Sequence, residues 1–223
     1  METIRKTGAS IARIAVYLLA ALVFLLPLIR LLLMGVTVEN GYGLDNFAGL
    51  LSQERTRKAI VNTIIIAVSS TALAAGCGSG LAFLTAYCNI KRKGVIEFLV
   101  LLPFIIPSYI ITLSWSSFFS SRGAFNGFLT SIGLPGVDIY TMGGIILVLG
   151  FCNIPIVYVN VVHMLRKIPR DMEWAARACG YSQRQAILKI NLVSAAPAIA
   201  AGSVLAFLSA IAVSYTHLRA HET

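Results

Sequence analysis

The chain has 223 residues, of which 57% are hydrophobic and only 12% charged, with a mean hydropathy of +0.82. Soluble domains carry about 25% charged residues, so this composition excludes a water-facing globule and calls for a lipid-facing one. The net charge of +9 does not imply nucleic acid, because basic residues on a membrane protein mark its cytoplasmic loops.

A helix needs about 20 apolar residues to cross the hydrocarbon core. Five segments meet that length: 14–36, 62–87, 95–119, 142–164 and 193–213. The first is longer than a signal-peptide core of roughly 7–15 residues, and no small-x-small cleavage site follows. It is expected to be a retained transmembrane helix. The second carries Ala72, Ala74, Ala75, Gly76, Gly78 and Gly80, small residues that let helix backbones approach closely. The third contains Pro103 and Pro107, which remove backbone hydrogen bonds and predict a kink.

Polar gaps separate the spans. The gap at 37–61 holds turn-forming Asn40-Gly41, and that at 88–94 is the short basic CNIKRKG. The gap at 120–141 is rich in glycine, and that at 165–192 is long, basic and helical in pattern. One side collects Arg5, Lys6, Arg13, Lys91, Arg92, Lys93, Arg166, Lys167, Arg170, Arg177, Arg184 and Lys189. The other holds only Arg55, Arg57, Lys58 and Arg122. Basic loops favour the cytoplasm, so the N-terminus is expected inside. Arg30, near the outer end of the first span, is expected to snorkel to the interface. Glu97 is expected to stay in the headgroup region beside Lys93.

Cys77, Cys88, Cys152 and Cys179 lie far apart, with no CxxC pair. They predict neither a metal site nor a disulfide framework. The spans also lack paired carboxylates and any nucleophile–base constellation, which weighs against a membrane-embedded enzyme or sensor, the alternative function. Nothing resembles the selectivity filter of a channel.

The fourth gap, LRKIPRDMEWAARACGYSQRQAILKINLVSAAPAI, is the informative stretch. Pro169 suits a helix start, and Asp171 and Glu173 follow where the positive helix end favours acids. Met172, Ala175, Ala176 and Cys179 form an apolar stripe at helical spacing. Gly180 ends the helix, and a second amphipathic piece runs from Gln183 to Leu192. An interfacial helix on anionic lipid would share the basic residues. The Gly break and the alanine-rich face suit a protein groove better.

This stretch resembles the cytoplasmic EAA loop of binding-protein-dependent ABC importer permeases: Glu-Ala-Ala, three residues, Gly, nine residues, Ile-x-Leu-Pro. Ala175, Ala176, Gly180, Ile190 and Leu192 match. Trp174 stands at the glutamate position with Glu173 beside it as a possible substitute, and Val193 replaces the final proline. DNFAGLL, LLPFIIPSYI and GAFNGFL…GLP…IYTMGGIILVL are similar to the ferric-iron-type branch, which polyamine, phosphonate and thiamine permeases share. The resemblance implies an all-α, polytopic type I permease bundle with a coupling helix, in a bacterial inner membrane. It implies import of ferric iron first, or of a polyamine, phosphonate or thiamine. It implies as partners an ABC ATPase dimer that binds the ATP, a periplasmic substrate-binding protein, a second permease half and lipid. The chain contains no GxxxxGK[ST] phosphate loop, so it is expected not to be the ATPase itself and to hold no cofactor. Ser114, Ser116, Asn153 and Tyr158 are the candidates for the translocation pathway.

Residues 1–213 are expected to form a transmembrane domain lacking its sixth helix. The SYTHLRAHET tail at 214–223 is expected to be non-native read-through. His217 and His221 have no visible third ligand and are not expected to bind metal.

Overall fold

A computed structural model describes residues 2–38, 41–120, 123–136 and 138–219. Arg122 and His221 lie outside the described residues, as do the side chains of Arg5, Lys6, Arg13 and His217. The chain forms two compact units, Met1–Ile60 and Val61–Thr223.

In the first unit, α1 (Glu2–Val36) contains the apolar stretch Val16–Val36, none of which is buried in the chain. Such a stretch is stable in lipid and not in water. A short antiparallel ribbon follows, β1 (Thr37–Val38) and β2 (Gly41–Tyr42), with Thr37 opposite Tyr42. Next comes α2 (Asp45–Ser52), where Asn46 Nδ2 donates to the Thr37 carbonyl at 2.8 Å and Phe47 packs on Gly35.

The second unit takes up α3 (Glu54–Tyr87) from Val61 onward. It continues with α4 (Lys93–Ile105), α5 (Ser108–Phe118), α6 (Ala124–Ser131) and α7 (Met142–Leu165). Then come α8 (Arg170–Ala178), α9 (Gln183–Ala186), a π-helical turn (Ile187–Asn191) and α10 (Leu192–Arg219). Among the described residues, four helices are long and apolar enough to cross a membrane, or five if α4 and α5 count together.

The third span departs from the expected single helix over 95–119. α4 and α5 meet at 107°. Pro107 disfavours the helical region for the residue before it, and Ile106 is extended at φ −84°, ψ 129°. The proline pair therefore breaks the span instead of kinking it. The gap after α5 also forms structure, because aromatic rings nucleate it. Trp115 stacks on Phe119 and tilts against Phe151, each at 5.5 Å, and Phe125 of α6 lies 4.8 Å from Phe119. Asn126 is buried and its Nδ2 donates to the Phe119 carbonyl at 2.7 Å.

The core sits where α3, α7 and α10 meet, around Ala74, Ala82, Val157, Tyr158, Val161, Ala195 and Ala206. In lipid there is no hydrophobic drive between helices, so close van der Waals packing of small residues does this work. A β-carbon on Gly78 would lie 2.9 Å from Val157 Cβ, and one on Gly202 would lie 3.0 Å from Val157 Cα. A polar bond joins α3 to α7: Thr85 and Tyr158 hydroxyls lie 3.1 Å apart, both residues buried. Tyr158→Phe is expected to lower stability by about 0.5–1.5 kcal/mol, measured by thermal melting in detergent. Thr85 keeps its bond to the Leu81 carbonyl at 2.9 Å, so the loss stays within that range.

Candidate functional site

The fourth gap folds into a compact reversal between α7 and α10. α8 begins after Pro169 and carries Asp171 and Glu173 in its first turn and Arg177 in its last, charges placed to suit the helix dipole. Its C-terminus is closed by a Schellman arrangement. The Gly180 amide donates to the Arg177 carbonyl at 3.0 Å and the Tyr181 amide to the Ala176 carbonyl at 3.1 Å. Gly180 takes φ +88° to make this turn. α9 follows at once through a capping box, in which Ser182 Oγ accepts from the Gln185 amide and Gln185 Oε1 from the Ser182 amide.

No neighbour lies within 4 Å of a β-carbon built on Gly180, so a substitution there costs backbone strain and not a clash. Gly180→Leu is expected to cost about 1–2 kcal/mol locally. It should show as faster amide hydrogen exchange at 176–182 while the core protection of α7 stays unchanged.

The apolar stripe expected along α8 is divided by the structure. Ala176 alone turns inward and is buried, as is Ala186 of α9. Met172, Trp174, Ala175, Ala178 and Cys179 are exposed, with Trp174 63% accessible. The reason is periodicity: positions 173 and 176 share one face of a 3.6-residue helix, and 174, 175 and 178 lie on the other. Ile190 is half-buried within the π-helical turn and Leu192, which opens α10, is 40% exposed.

Glu173, beside position 174, is half-buried. Its Oε1 accepts from Asn191 Nδ2 at 2.7 Å. Asn191 is fully buried in the π-helical turn, and its own Oδ1 has no protein partner among the described residues. The Tyr87 hydroxyl, at the end of α3, lies near the Glu173 carboxylate and the Asn191 side chain. Sequence reasoning missed Tyr87 and Asn191. Nothing in the spacing joins positions 87, 173 and 191, and the π-helical turn that aims Asn191 has no sequence signal.

A second link holds the start of the reversal. Arg166 Nη2 lies 2.6 Å from Glu97 Oε1 on α4, and Lys93 Nζ lies 3.9 Å from the same oxygen. Glu97 thus joins the α4 and α7 ends as well as pairing with Lys93. On the loop's outer side, Lys189 Nζ sits 5.0 Å above the Tyr181 ring.

The four candidate pathway residues are dispersed. Asn153 is buried and donates to the Leu149 carbonyl of its own helix at 2.9 Å. Tyr158 is 2% exposed and bonded to Thr85. The first bond lies within α7 and the second crosses to α3. Ser114 is exposed and donates to the Ile110 carbonyl at 2.8 Å, while Ser116 is half-buried. Ser114 borders an apolar cavity of about 480 Å³ between the broken α4–α5 pair, α3 and α7, which Leu81, Pro103, Ile110, Phe151 and Cys152 also line. Among the described residues no His/Cys/Asp/Glu group has the arrangement of a metal site.

Comparison with known proteins places this architecture. Residues 78–215 match the model of the "Binding-protein-dependent transport system inner membrane component" family. The chain is 29% identical over 196 residues to the "Putative 2-aminoethylphosphonate transport system permease protein PhnU" of Salmonella typhimurium (strain LT2), covering 86% of this chain and 68% of that one. It is 26% identical over 181 residues to the spermidine/putrescine transport system permease protein PotB of Salmonella typhimurium (strain SL1344), covering 80% of this chain and 63% of that one. The fold superposes with a TM-score of 0.80 on a chain of a bacterial ABC transporter involved in import of the acidic polysaccharide alginate. That match has 22% identity and covers 97% of this chain and 78% of the other. The chain therefore belongs to the inner membrane components of binding-protein-dependent transport systems, as a multi-pass, all-α permease component of an ABC importer.

Proposed function

We propose that this permease moves a small solute, delivered by a periplasmic binding protein, into the cytoplasm, driven by a separate ATPase dimer that docks on α8. The observation that carries this reading is the division of α8 into an anchored inner face and an exposed face of Met172, Trp174, Ala175 and Ala178. An exposed Trp and Met are the residue types enriched in interfaces, and they sit on the loop that matches the EAA pattern. The basic residues around it, Arg170, Arg177, Arg184 and Lys189, support a cytoplasmic side for this loop and the N-terminus. ATP is bound by the partner ATPase, and a second permease half completes the pathway.

For the substrate, ferric iron heads the classes that the sequence resemblance implies, with polyamine, phosphonate and thiamine beside it. The relatives named above carry 2-aminoethylphosphonate and spermidine/putrescine in their names. Those three solutes share a primary ammonium group, and a small aminoalkyl solute is accordingly placed ahead of ferric iron.

Two measurements test the proposal. A membrane-impermeant maleimide should label Cys179 in inverted vesicles and not in intact spheroplasts; labelling from outside would reverse the topology. Proteoliposomes holding the complete transporter should take up radiolabelled 2-aminoethylphosphonate or putrescine with ATP inside the lumen-equivalent of the cytoplasm. Uptake of ferric iron alone would restore iron as the substrate.

A further inference from the structure

Three segments distant in sequence converge on one side chain, Glu173. α8 supplies the carboxylate, the π-helical turn supplies Asn191 Nδ2 at 2.7 Å, and the end of α3 supplies the Tyr87 hydroxyl. From this convergence we infer that Glu173, Asn191 and Tyr87 are positioning residues that form a latch, carrying displacement of α8 to the ends of α3 and α10. The inference rests on the docking of an ATPase on the outer face of α8.

Three features support a transmitting role over simple anchoring. First, the alternatives for a rigid connection are few. α8 contacts α9 and the π-helical turn, and the buried residues of α8 and α9, Ala176 and Ala186, offer one methyl group each. Second, Asn191 is fully buried with an unpartnered Oδ1. A buried polar group with half its capacity unmet costs stability, so the residue is not explained by packing. Third, it lies in a π-helical turn, a less stable backbone form that concentrates at functional sites. Asn191 stands directly before α10, which packs along α7 through Gly202. Tyr87 stands directly after the α3 face that packs on α7 through Gly78, and its ring stacks on Phe83 at 5.9 Å. A push on Glu173 therefore reaches both helices that flank α7.

The test uses the complete transporter with its own ATPase, in liposomes, with Cys88 as reporter. Cys88 is exposed and adjoins Tyr87, so with Cys77, Cys152 and Cys179 replaced by alanine it takes a single environment-sensitive fluorophore. MgATP with vanadate closes the ATPase, and the fluorescence change at the α3 end reports what arrives there. In the otherwise native chain a clear change is expected. Asn191→Leu keeps size and removes the amide. It is expected to retain bound ATPase and basal ATP hydrolysis within twofold, while the fluorescence change falls at least fivefold. Glu173→Gln keeps an acceptor oxygen and should retain half the change or more, whereas Glu173→Ala should behave as Asn191→Leu does. Tyr87→Phe removes only a hydroxyl, so the fold persists, and the change should fall at least threefold. A full change in Asn191→Leu or Tyr87→Phe would overturn the latch while leaving docking intact. Loss of the ATPase from these variants would also overturn it, assigning the cluster to docking. Absence of ATPase from the unsubstituted transporter would overturn the docking on which the latch rests, and both would fall together.

Discussion

Replacing Gly78 with leucine is expected to destabilise the permease markedly, while the same change at Gly76 is expected to be tolerated. The two positions lie two residues apart on α3 and differ only in what faces them. A β-carbon at Gly78 would sit 2.9 Å from Val157 Cβ, 3.0 Å from the Ile154 carbonyl oxygen and 3.1 Å from the Tyr158 amide. Two of those three neighbours are backbone, so no side-chain rotation relieves the clash and α3 must separate from α7. Forcing bulk into a well-packed interface costs about 3 kcal/mol at the upper end of its usual range. Separation would also break the buried Thr85–Tyr158 bond at 3.1 Å. A β-carbon at Gly76 meets nothing within 4 Å. Melting in detergent should therefore drop by roughly 5–10 °C for Gly78→Leu and change little for Gly76→Leu. Equal effects at the two positions would show that α3 does not pack on α7 through Gly78.

Trp174→Ala is expected to weaken ATPase binding about 30-fold, the equivalent of about 2 kcal/mol. Trp174 is 63% accessible on the outer face of α8, and among the described neighbours only small or flexible side chains share that face. A large exposed aromatic on a charged helix loses nothing within the chain when truncated, so its removal reports the partner alone. Titration of the detergent-solubilised permease with purified ATPase would read the dissociation constant. The competing role, insertion into the lipid interface, predicts unchanged ATPase affinity with altered partitioning of α8 into bilayers. Ala176→Leu, at a buried position on the inner face, should by contrast disturb the loop's own packing and perturb hydrogen exchange across 170–190.

Much of this arrangement was legible in the residues because it follows from composition and local chemistry. The spans were evident from apolar runs, and the end of α8 from Gly180, whose φ of +88° is the backbone state a C-terminal glycine supplies. The small-residue run of α3 announced a close helix contact. It did not say which of Gly76, Gly78 and Gly80 makes it, because that depends on the rotation of the helix about its axis. Only Gly78 meets a neighbour. The proline pair announced a distortion of the third span, but its 107° angle depends on where the freed backbone and the Trp115–Phe151 ring contact come to rest. Glu173 was legible as a loop residue and not as an inward one. Its direction is set by Asn191, eighteen residues on, and by the π-helical register that aims it. The pathway candidates show the same limit. Polar residues inside a span read alike in sequence whether they line a passage, bond across to another helix as Tyr158 does, or bond to their own helix as Asn153 does.

Docking of the ATPase on the outer face of α8 is tested most directly by the reactivity of Cys179. It is exposed, on the same loop as Trp174 and outside the apolar spans. In a chain with Cys77, Cys88 and Cys152 replaced by alanine, maleimide should label Cys179 readily in the isolated permease. The rate should fall at least tenfold in the purified stoichiometric complex with its ATPase, and recover when the ATPase is stripped away. Equal labelling rates with and without bound ATPase would contradict docking at α8 and place the partner elsewhere on the permease.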